Sequence, residues 1–280
     1  MTTAPHDTRS AATRAFDRLA VAYDGLSGGE IFHLLRQRTH RAFARHLDRG
    51  ARVLEIGCGT GLDTTYLASR GCHVVACDPS EEMVTRTMRR LVHDGLETRT
   101  TVMPCGLQDL QAFLDALAPH ERFDGIISNF GALNCVNHLA PLGAVVRCHL
   151  RPGGTVLLGV MTRICAVEAL YFAATRRPRL AMRRLGPGAV RVPVAGIDVP
   201  TFYHGISEVC AALGNEVRLC EIEGLGVVVP PPYLEPRWQG LPRSVRTAVM
   251  AVDQWLAPWP PFNRLGDHVL LRFLKDGPHA

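Results

Sequence analysis

Apolar residues recur along the chain in two patterns, as short continuous runs and as longer stretches with helical spacing. The runs at 52–56 and 73–77 have the length of buried strands, and the stretches 62–69 and 80–93 have apolar residues three or four apart. The alternation continues with strands over 99–103, 123–128 and 155–161 and helices over 107–117 and 139–150. Short apolar strands separated by helices predict a parallel sheet with helices on both faces.

Both ends of the chain add to this core. Amphipathic helices are predicted over 13–24 and 31–48, before the first strand. After residue 206 the pattern gives helices over 207–213 and 241–256 and strands over 217–222 and 268–274, which look like an antiparallel pair. The expected fold class is therefore α/β, with a seven-stranded sheet that is mostly parallel and has its last strand antiparallel.

Between the fifth and sixth strands the regular alternation stops. Residues 163–185 are predicted to be helical, and the alternating apolar residues of 186–201 around Ala195-Gly196 predict a hairpin. We expect three regions: a helical lid over 1–50, a ligand-binding sheet domain over 51–161 and 207–280, and an inserted cap over 162–206.

The helical part of the cap contains many arginines. They can hold a carboxylate or phosphate of a substrate, rest on an acidic membrane surface, or form a solvated helix face. The last interpretation is favoured, since most charge-rich helix faces are solvated. The residues concerned are Arg163, Arg176, Arg177, Arg179, Arg183 and Arg184.

Composition indicates a folded domain and sets limits on its partners. The chain has 280 residues, 47% hydrophobic and 20% charged, with a net charge of +5. Lys275 is the only lysine, a bias that is typical of GC-rich bacterial genes. No basic run is interleaved with stacking aromatics, so we expect no nucleic-acid partner.

Cysteine usage and hydropathy indicate the compartment. Nine cysteines are present without any C-x-x-C pair, which argues against a metal site and for a reducing environment. Residues 1–15 lack the apolar segment of a signal peptide, and the apolar stretch 164–175 is too short to span a bilayer. We expect a cytoplasmic protein without a transmembrane segment, either a monomer or a homodimer.

A glycine-rich loop follows the first strand. Gly57, Gly59 and Gly61 form a G-x-G-x-G pattern that opens a helix, and Asp78 ends the second strand 21 residues after Gly57. Glycines let a ligand approach the backbone, and the helix start offers free N–H groups. The dinucleotide fingerprint is G-x-G-x-x-G, so this spacing differs from that of a dinucleotide oxidoreductase.

The pattern Glu55-x-Gly57-x-Gly59-x-Gly61 resembles the first motif of class I S-adenosylmethionine-dependent methyltransferases, which have a Rossmann-like fold. The resemblance implies that the loop passes the methionine part of S-adenosylmethionine. It implies that Asp78 takes both ribose hydroxyls, for which two carboxylate oxygens are suited. It also implies that Glu55 holds the amino group.

Other segments resemble the same family. The segment 99–107 corresponds to the adenine pocket. Cys105-Gly106 departs from the usual acidic pattern there, so recognition of the adenine amino group is left to Gln108 or Asp109. The resemblance extends to 123–131, to the turn 151–154 and to an N-terminal lid with Tyr23 near the cofactor carboxylate. The expected cofactor-binding residues are Tyr23, Glu55, Gly57, Cys58, Gly59, Gly61, Asp78, Pro79, Met83, Cys105, Gly106, Leu107, Asn129 and Phe130.

The resemblance implies methylation of a small-molecule acceptor, and O- or N-methylation in bacterial specialised metabolism is the favoured hypothesis. A base can help to remove the proton of a protic acceptor, and His138, Tyr203 and His204 are the candidates beyond the strand ends. Non-methyl chemistry on the same fold, by a cyclase or decarboxylase, is the alternative. A dinucleotide oxidoreductase and a non-enzymatic binding protein fit the glycine loop less well.

Overall fold

The computed structural model describes residues 9–117 and 121–277, and its centre is a seven-stranded sheet. The order is β3-β2-β1-β4-β5-β9-β8, and β9 alone runs antiparallel to its neighbours. A two-stranded hairpin, β6-β7, stands apart. The predicted fold class is confirmed. The strands are β1 (Arg52–Ile56), β2 (His73–Asp78), β3 (Thr100–Pro104), β4 (Phe123–Ser128), β5 (Leu150–Met161), β6 (Val190–Val194), β7 (Ile197–Thr201), β8 (Val217–Leu225) and β9 (His268–Lys275).

Helices cover both faces of this sheet because successive strand residues point to opposite sides. Val53 of β1 packs with Leu67 on one face, whereas Leu54 packs with Leu110 and Val145 on the other. The helices are α1 (Ala11–Leu26), α2 (Glu30–His46), α3 (Leu62–Ser69), α4 (Glu81–His93), α5 (Leu107–Leu117), α6 (Ala140–His149), α7 (Ala166–Ala174), α8 (Pro178–Ala181), α9 (Ile206–Leu213), α10 (Glu235–Gln239) and α11 (Arg243–Leu256). In the described part of the chain, no helix is long and apolar enough to cross a membrane.

Two sequence predictions fail at element boundaries. The predicted turn at 151–154 belongs to β5, where it forms an outward irregularity between the Phe123–Leu150 and Gly125–Thr155 pairs. The predicted helix over 163–185 is broken after residue 174. Pro178 explains the break, because a proline disfavours helical backbone at the preceding residue.

The inserted hairpin has the predicted position and meets the N-terminal helix. Ala195 and Gly196 both have positive φ, which is the conformation of a tight hairpin turn whose twist matches its strands. Val199 of β7 packs with Ala12 and Ala15 of α1. The hairpin and α1 therefore form one apolar cluster at the edge of the sheet domain.

Two of the cap arginines are not on a solvated face. Arg184 is 5% exposed and bonds the carboxylates of Glu168 and Asp267, which are themselves buried. Arg183 also bonds Glu168 and is partly exposed. The solvated-face interpretation is wrong for this pair, because the helix break turns both side chains inward onto buried carboxylates.

Candidate active site

A cavity of about 410 Å³ lies at the carboxyl ends of the central parallel strands. This is where ligands bind in open α/β sheets. All but one of the predicted cofactor-binding residues line it. They are Tyr23, Glu55, Gly57, Cys58, Gly59, Asp78, Pro79, Met83, Cys105, Gly106, Leu107, Asn129 and Phe130. Residues predicted from segments spread over more than a hundred residues thus line one continuous cavity.

Gly61 is the predicted residue that does not line the cavity. It precedes α3 with φ of +81°, and an added Cβ would lie 2.7 Å from Thr87 Cγ2 of α4. Its glycine is needed for the turn and for close packing of α4. Gly61 therefore shapes the loop without facing the ligand.

The rest of the glycine loop is held against β2. The backbone N–H groups of Gly57 and Cys58 both donate to the carbonyl oxygen of Cys77, over 2.8 and 3.0 Å. Gly57 and Gly59 have φ of +78° and +55°, which favours glycine. These bonds fix the loop backbone at the wall of the cavity.

Asp78 is anchored at the end of β2 by two backbone donors. Its Oδ2 accepts from Gly59 N over 3.0 Å and its Oδ1 accepts from Ser80 N over 2.9 Å. Burial raises the pKa of Asp78 to about 6, although both hydrogen bonds favour the ionised form. The carboxylate is fixed in orientation and retains acceptor capacity toward the cavity, as a diol-binding group requires.

The pKa of Asp78 predicts how cofactor binding depends on pH. Only the ionised carboxylate accepts from two hydroxyls, so protonation of Asp78 should weaken binding of S-adenosylhomocysteine as the pH falls below about 6, by up to about tenfold per pH unit. Calorimetric titrations between about pH 5 and 7 measure this. Asp78→Asn should bind more weakly, by about 1–3 kcal/mol, with no inflection. An unchanged inflection in that variant would contradict the assignment.

Glu55 is a second buried carboxyl in the cavity wall. Its Oε2 accepts from Thr64 Oγ1 over 2.6 Å. Burial, and then the negative charge of Asp63, raise the pKa of Glu55 to about 8. A ligand ammonium group would favour the charged form of Glu55, so this carboxyl is suited to a cationic amino group.

Asp63 is the centre of a polar cluster that the sequence analysis missed. Its Oδ1 accepts from Arg36 over 2.8 Å and from His40 over 2.7 Å, and its Oδ2 accepts from Asn129 over 2.8 Å. Burial opposes its ionisation, but Arg36, His40 and Asn129 together hold the pKa of Asp63 well below its usual range. An acidic residue in the first turn of a helix has an ordinary explanation in the helix dipole, which conceals this role.

Arg36 brings a positive charge to the same wall. It lines the cavity from α2, and its guanidinium lies 4.5 Å from the centroid of the Phe130 ring. The motifs that resemble the family include no residue of α2, and an arginine in an amphipathic helix has no sequence signal of its own. Only the packing of α2 over the strand ends shows that Arg36 lines the cavity.

Helix α1 is fastened over the cavity by its acidic residues. Asp17 Oδ1 accepts from Ser80 Oγ over 2.6 Å, and Asp24 Oδ1 accepts from Thr60 Oγ1 over 2.6 Å. Tyr23 lies between them, lines the cavity and has its pKa raised, chiefly by burial. The lid thus contacts both the glycine loop and the segment after β2.

The part of the cavity predicted to hold adenine is lined by the segment where the sequence departs from the family pattern. Cys105 and Gly106 line the cavity, and so do Gln108 and Asp109 at the start of α5. Burial raises the pKa of the Cys105 thiol, which makes it unreactive. Gln108 and Asp109 remain the side chains with polar atoms suited to an exocyclic amino group.

The three candidate bases lie outside the cavity lining. His138 is exposed and its Nε2 is 3.0 Å from Asn137 Nδ2. The Tyr203 ring packs under the Arg184 guanidinium, and His204 Nε2 donates to the carbonyl oxygen of Val136 over 2.8 Å. The described residues that line the cavity include no histidine. The geometry gives these three residues structural partners instead of a place at the ligand.

Residues 53–154 match a family model described as a methyltransferase domain. Over 182 residues the chain is 35% identical to the demethylmenaquinone methyltransferase of Clavibacter sepedonicus, covering 63% of this chain and 66% of that protein. Over 75 residues it is 37% identical to the 23S rRNA (uracil(1939)-C(5))-methyltransferase RlmD of Ralstonia nicotianae, covering 27% of this chain and 16% of that protein. The chain thus spans just under two thirds of the length of the first relative and about one sixth of the length of the second.

Solved structures share the fold. The 4+2 cyclase SpnF has a TM-score of 0.63 at 14% identity, with 96% of this chain and 98% of that chain covered. An S-adenosylmethionine-dependent methyltransferase from Mesorhizobium loti has a TM-score of 0.54 at 19% identity, with coverage of 89% and 100%.

The matched domain, the strand order and the glycine loop with Asp78 define one class of protein. Residues 53–154 form a methyltransferase domain, and the resemblance of this chain to class I S-adenosylmethionine-dependent methyltransferases is confirmed. The cavity fits the cofactor of that family, because it presents the carboxyl groups of Glu55 and Asp78, the guanidinium of Arg36 and a bare glycine backbone. The predicted cofactor, S-adenosylmethionine, is confirmed.

Proposed function

We propose that this protein transfers the methyl group of S-adenosylmethionine to a small-molecule acceptor. The observation that carries the proposal is the single cavity that runs from Asp78 and the glycine loop to Asn129 and Phe130. It combines a cofactor site with further apolar wall beyond Phe130. S-adenosylmethionine supplies the electrophilic methyl group when bound, and the chain supplies position and electrostatics.

Four polar residues of the wall have a proposed partner group on the cofactor. Asp78 accepts from the ribose hydroxyls, and Glu55 accepts from the amino group. Arg36 is the cation available for the carboxylate, with Tyr23 as a hydrogen-bond donor beside it. Asp63 is a positioning residue, since it holds Arg36 and Asn129 in place.

The acceptor site is the part of the cavity beyond Phe130. Its lining includes Phe16 of the lid together with Leu133, Cys135 and Val136, so it suits a small and largely apolar acceptor. No histidine lines the described cavity, and alignment of the acceptor atom with the methyl carbon is the main contribution of the chain. Such alignment can supply about 7–11 kcal/mol.

Nucleic acid is not the proposed acceptor. Helix α1 lines the cavity with Phe16 and packs on the β6-β7 hairpin through Ala15 and Val199. Among the described lining residues Arg36 is the only cation, whereas a polynucleotide backbone is bound through several phosphate contacts. The nine free cysteines support a cytoplasmic location, where thiols stay reduced.

Product analysis tests the proposal. The protein is incubated with S-adenosylmethionine and a panel of phenols, quinols and amines, including demethylmenaquinol because of the Clavibacter relative. We expect S-adenosylhomocysteine and an acceptor heavier by one methylene unit, both greatly reduced for Asp78→Asn. Conversion of an acceptor without S-adenosylhomocysteine would instead support cyclase or decarboxylase chemistry. Failure of S-adenosylmethionine and S-adenosylhomocysteine to bind would overturn the proposal.

A further inference from the structure

One face of helix α11 is apolar and exposed to solvent. Val245, Val252 and Trp255 follow one another at intervals of seven and three residues, and the exposed Leu241 and Trp259 lie just beyond the two ends of the helix. Trp255 is 68% exposed and Trp259 is 59% exposed. A continuous apolar stripe with two exposed indole rings marks contact with another apolar body.

The opposite face of α11 is firmly attached to the domain. Asp253 is fully buried, and its Oδ2 accepts from Arg38 Nη1 over 2.5 Å while its Oδ1 accepts from the N–H groups of Val228 and Val229. Val249 packs on a buried cluster that contains Trp238. The apolar stripe is thus an outer surface of a docked helix, which needs a second partner of its own.

The exposed charges in the chain segment that contains the stripe have one sign. Residues 235–265, all described, contain two acids, and both are engaged: Asp253 is buried, and Glu235 accepts from the backbone N–H groups at the start of α2. Arg237, Arg243 and Arg264 are exposed. Within this segment the exposed charged side chains are therefore all arginines, while Arg246 of α11 is paired with Glu30.

We propose that the exposed face of α11 docks on an anionic lipid bilayer. Tryptophan and arginine beside a helical apolar stripe are suited to the headgroup region, where rings enter the interface and guanidinium groups meet phosphates. The helix of 14 residues, about 21 Å long, would lie in the membrane plane. A second copy fits less well, because a two-fold contact would place this arginine-bordered face against itself.

Tryptophan fluorescence tests the proposal on the full chain. The protein has three tryptophans, and Trp238 is 2% exposed, so the solvent-sensitive emission comes from Trp255 and Trp259. We expect a blue shift and co-sedimentation with phosphatidylcholine vesicles that contain phosphatidylglycerol. Vesicles of phosphatidylcholine alone should give much weaker binding, and added salt should weaken the binding to the anionic vesicles.

Variants separate lipid binding by the stripe from non-specific binding by other exposed apolar residues. The double variant Trp255→Ser and Trp259→Ser should bind anionic vesicles at least about tenfold more weakly and keep its Trp238 emission unchanged. Val92→Ser, which replaces an apolar residue of α4 that is 64% exposed, should bind like the unmodified protein. Absence of vesicle binding would overturn the proposal. A blue shift that grows with protein concentration without lipid, and no vesicle binding, would assign the stripe to a second copy.

Discussion

Replacement of Arg184 by methionine is expected to lower the free energy of unfolding by about 3–5 kcal/mol. Arg184 uses its three nitrogen atoms on five acceptor contacts, to both oxygens of Glu168, to the side chain of Asp267 and to the carbonyl oxygens of Thr162 and Asp267. The variant leaves two carboxylates buried with fewer partners. Arg183 and His268 remain close, but each bonds only one of the two carboxylates.

The pH dependence of this loss identifies its cause. Burial opposes ionisation of Glu168 and Asp267, yet hydrogen bonds and charges from neighbouring cations hold the pKa of each below its usual value. Without Arg184 we expect both pKa values to rise. Protonation of the two carboxylates at low pH should then reduce the loss of stability in the variant. The difference in unfolding free energy, measured by urea titration followed by circular dichroism, should shrink between about pH 7 and 5.

A matched arginine in the same cap provides the control. Arg179 is exposed on α8, and Arg179→Met should change the unfolding free energy by at most about 0.5 kcal/mol. Equal losses for the two variants would mean that the cap depends on its overall charge and not on the buried network.

The hydrophobic pattern predicts the sheet and its helices because they repeat two simple periods. It fails at 151–154 and within 163–185, where a strand irregularity and a proline interrupt those periods. The buried partners of Arg184 follow from that interruption. No period in the sequence indicates which charged residues of an irregular segment turn inward.

The cofactor wall was predictable to the extent that it follows the strand ends. Asp78 and the glycine loop stand at fixed positions in the chain relative to β1 and β2, so motif spacing locates them. Arg36 belongs to a helix outside that repeat, and its position depends on how α2 packs. The candidate bases lie outside the cavity lining for a related reason: His204 follows a hairpin whose direction the sequence leaves open, and it donates to the Val136 carbonyl oxygen.

The second large expected effect is a loss of ligand affinity on substitution in the glycine loop. Gly57→Ala is expected to weaken binding of S-adenosylhomocysteine by about a hundredfold, or about 2.7 kcal/mol. An added Cβ would lie 2.3 Å from Ala132 Cβ, and φ of +78° strains any residue with a side chain by ~1–2 kcal/mol. Because Gly57 N is tied to the Cys77 carbonyl oxygen, the loop can relieve the contact only by moving away from β2 and along the cavity wall.

A second substitution separates the collision from the backbone strain. In the double variant Gly57→Ala and Ala132→Gly the colliding Cβ is removed, and the next atom, Ala132 Cα, is 3.7 Å away, an ordinary contact. Calorimetry should show that most of the lost affinity returns. Gly95→Ala carries a comparable φ of +67° with no atom within 4 Å of its Cβ, and it should leave affinity unchanged. If the double variant binds no better than Gly57→Ala, the backbone conformation and not the contact with Ala132 is the reason that glycine is required at this position.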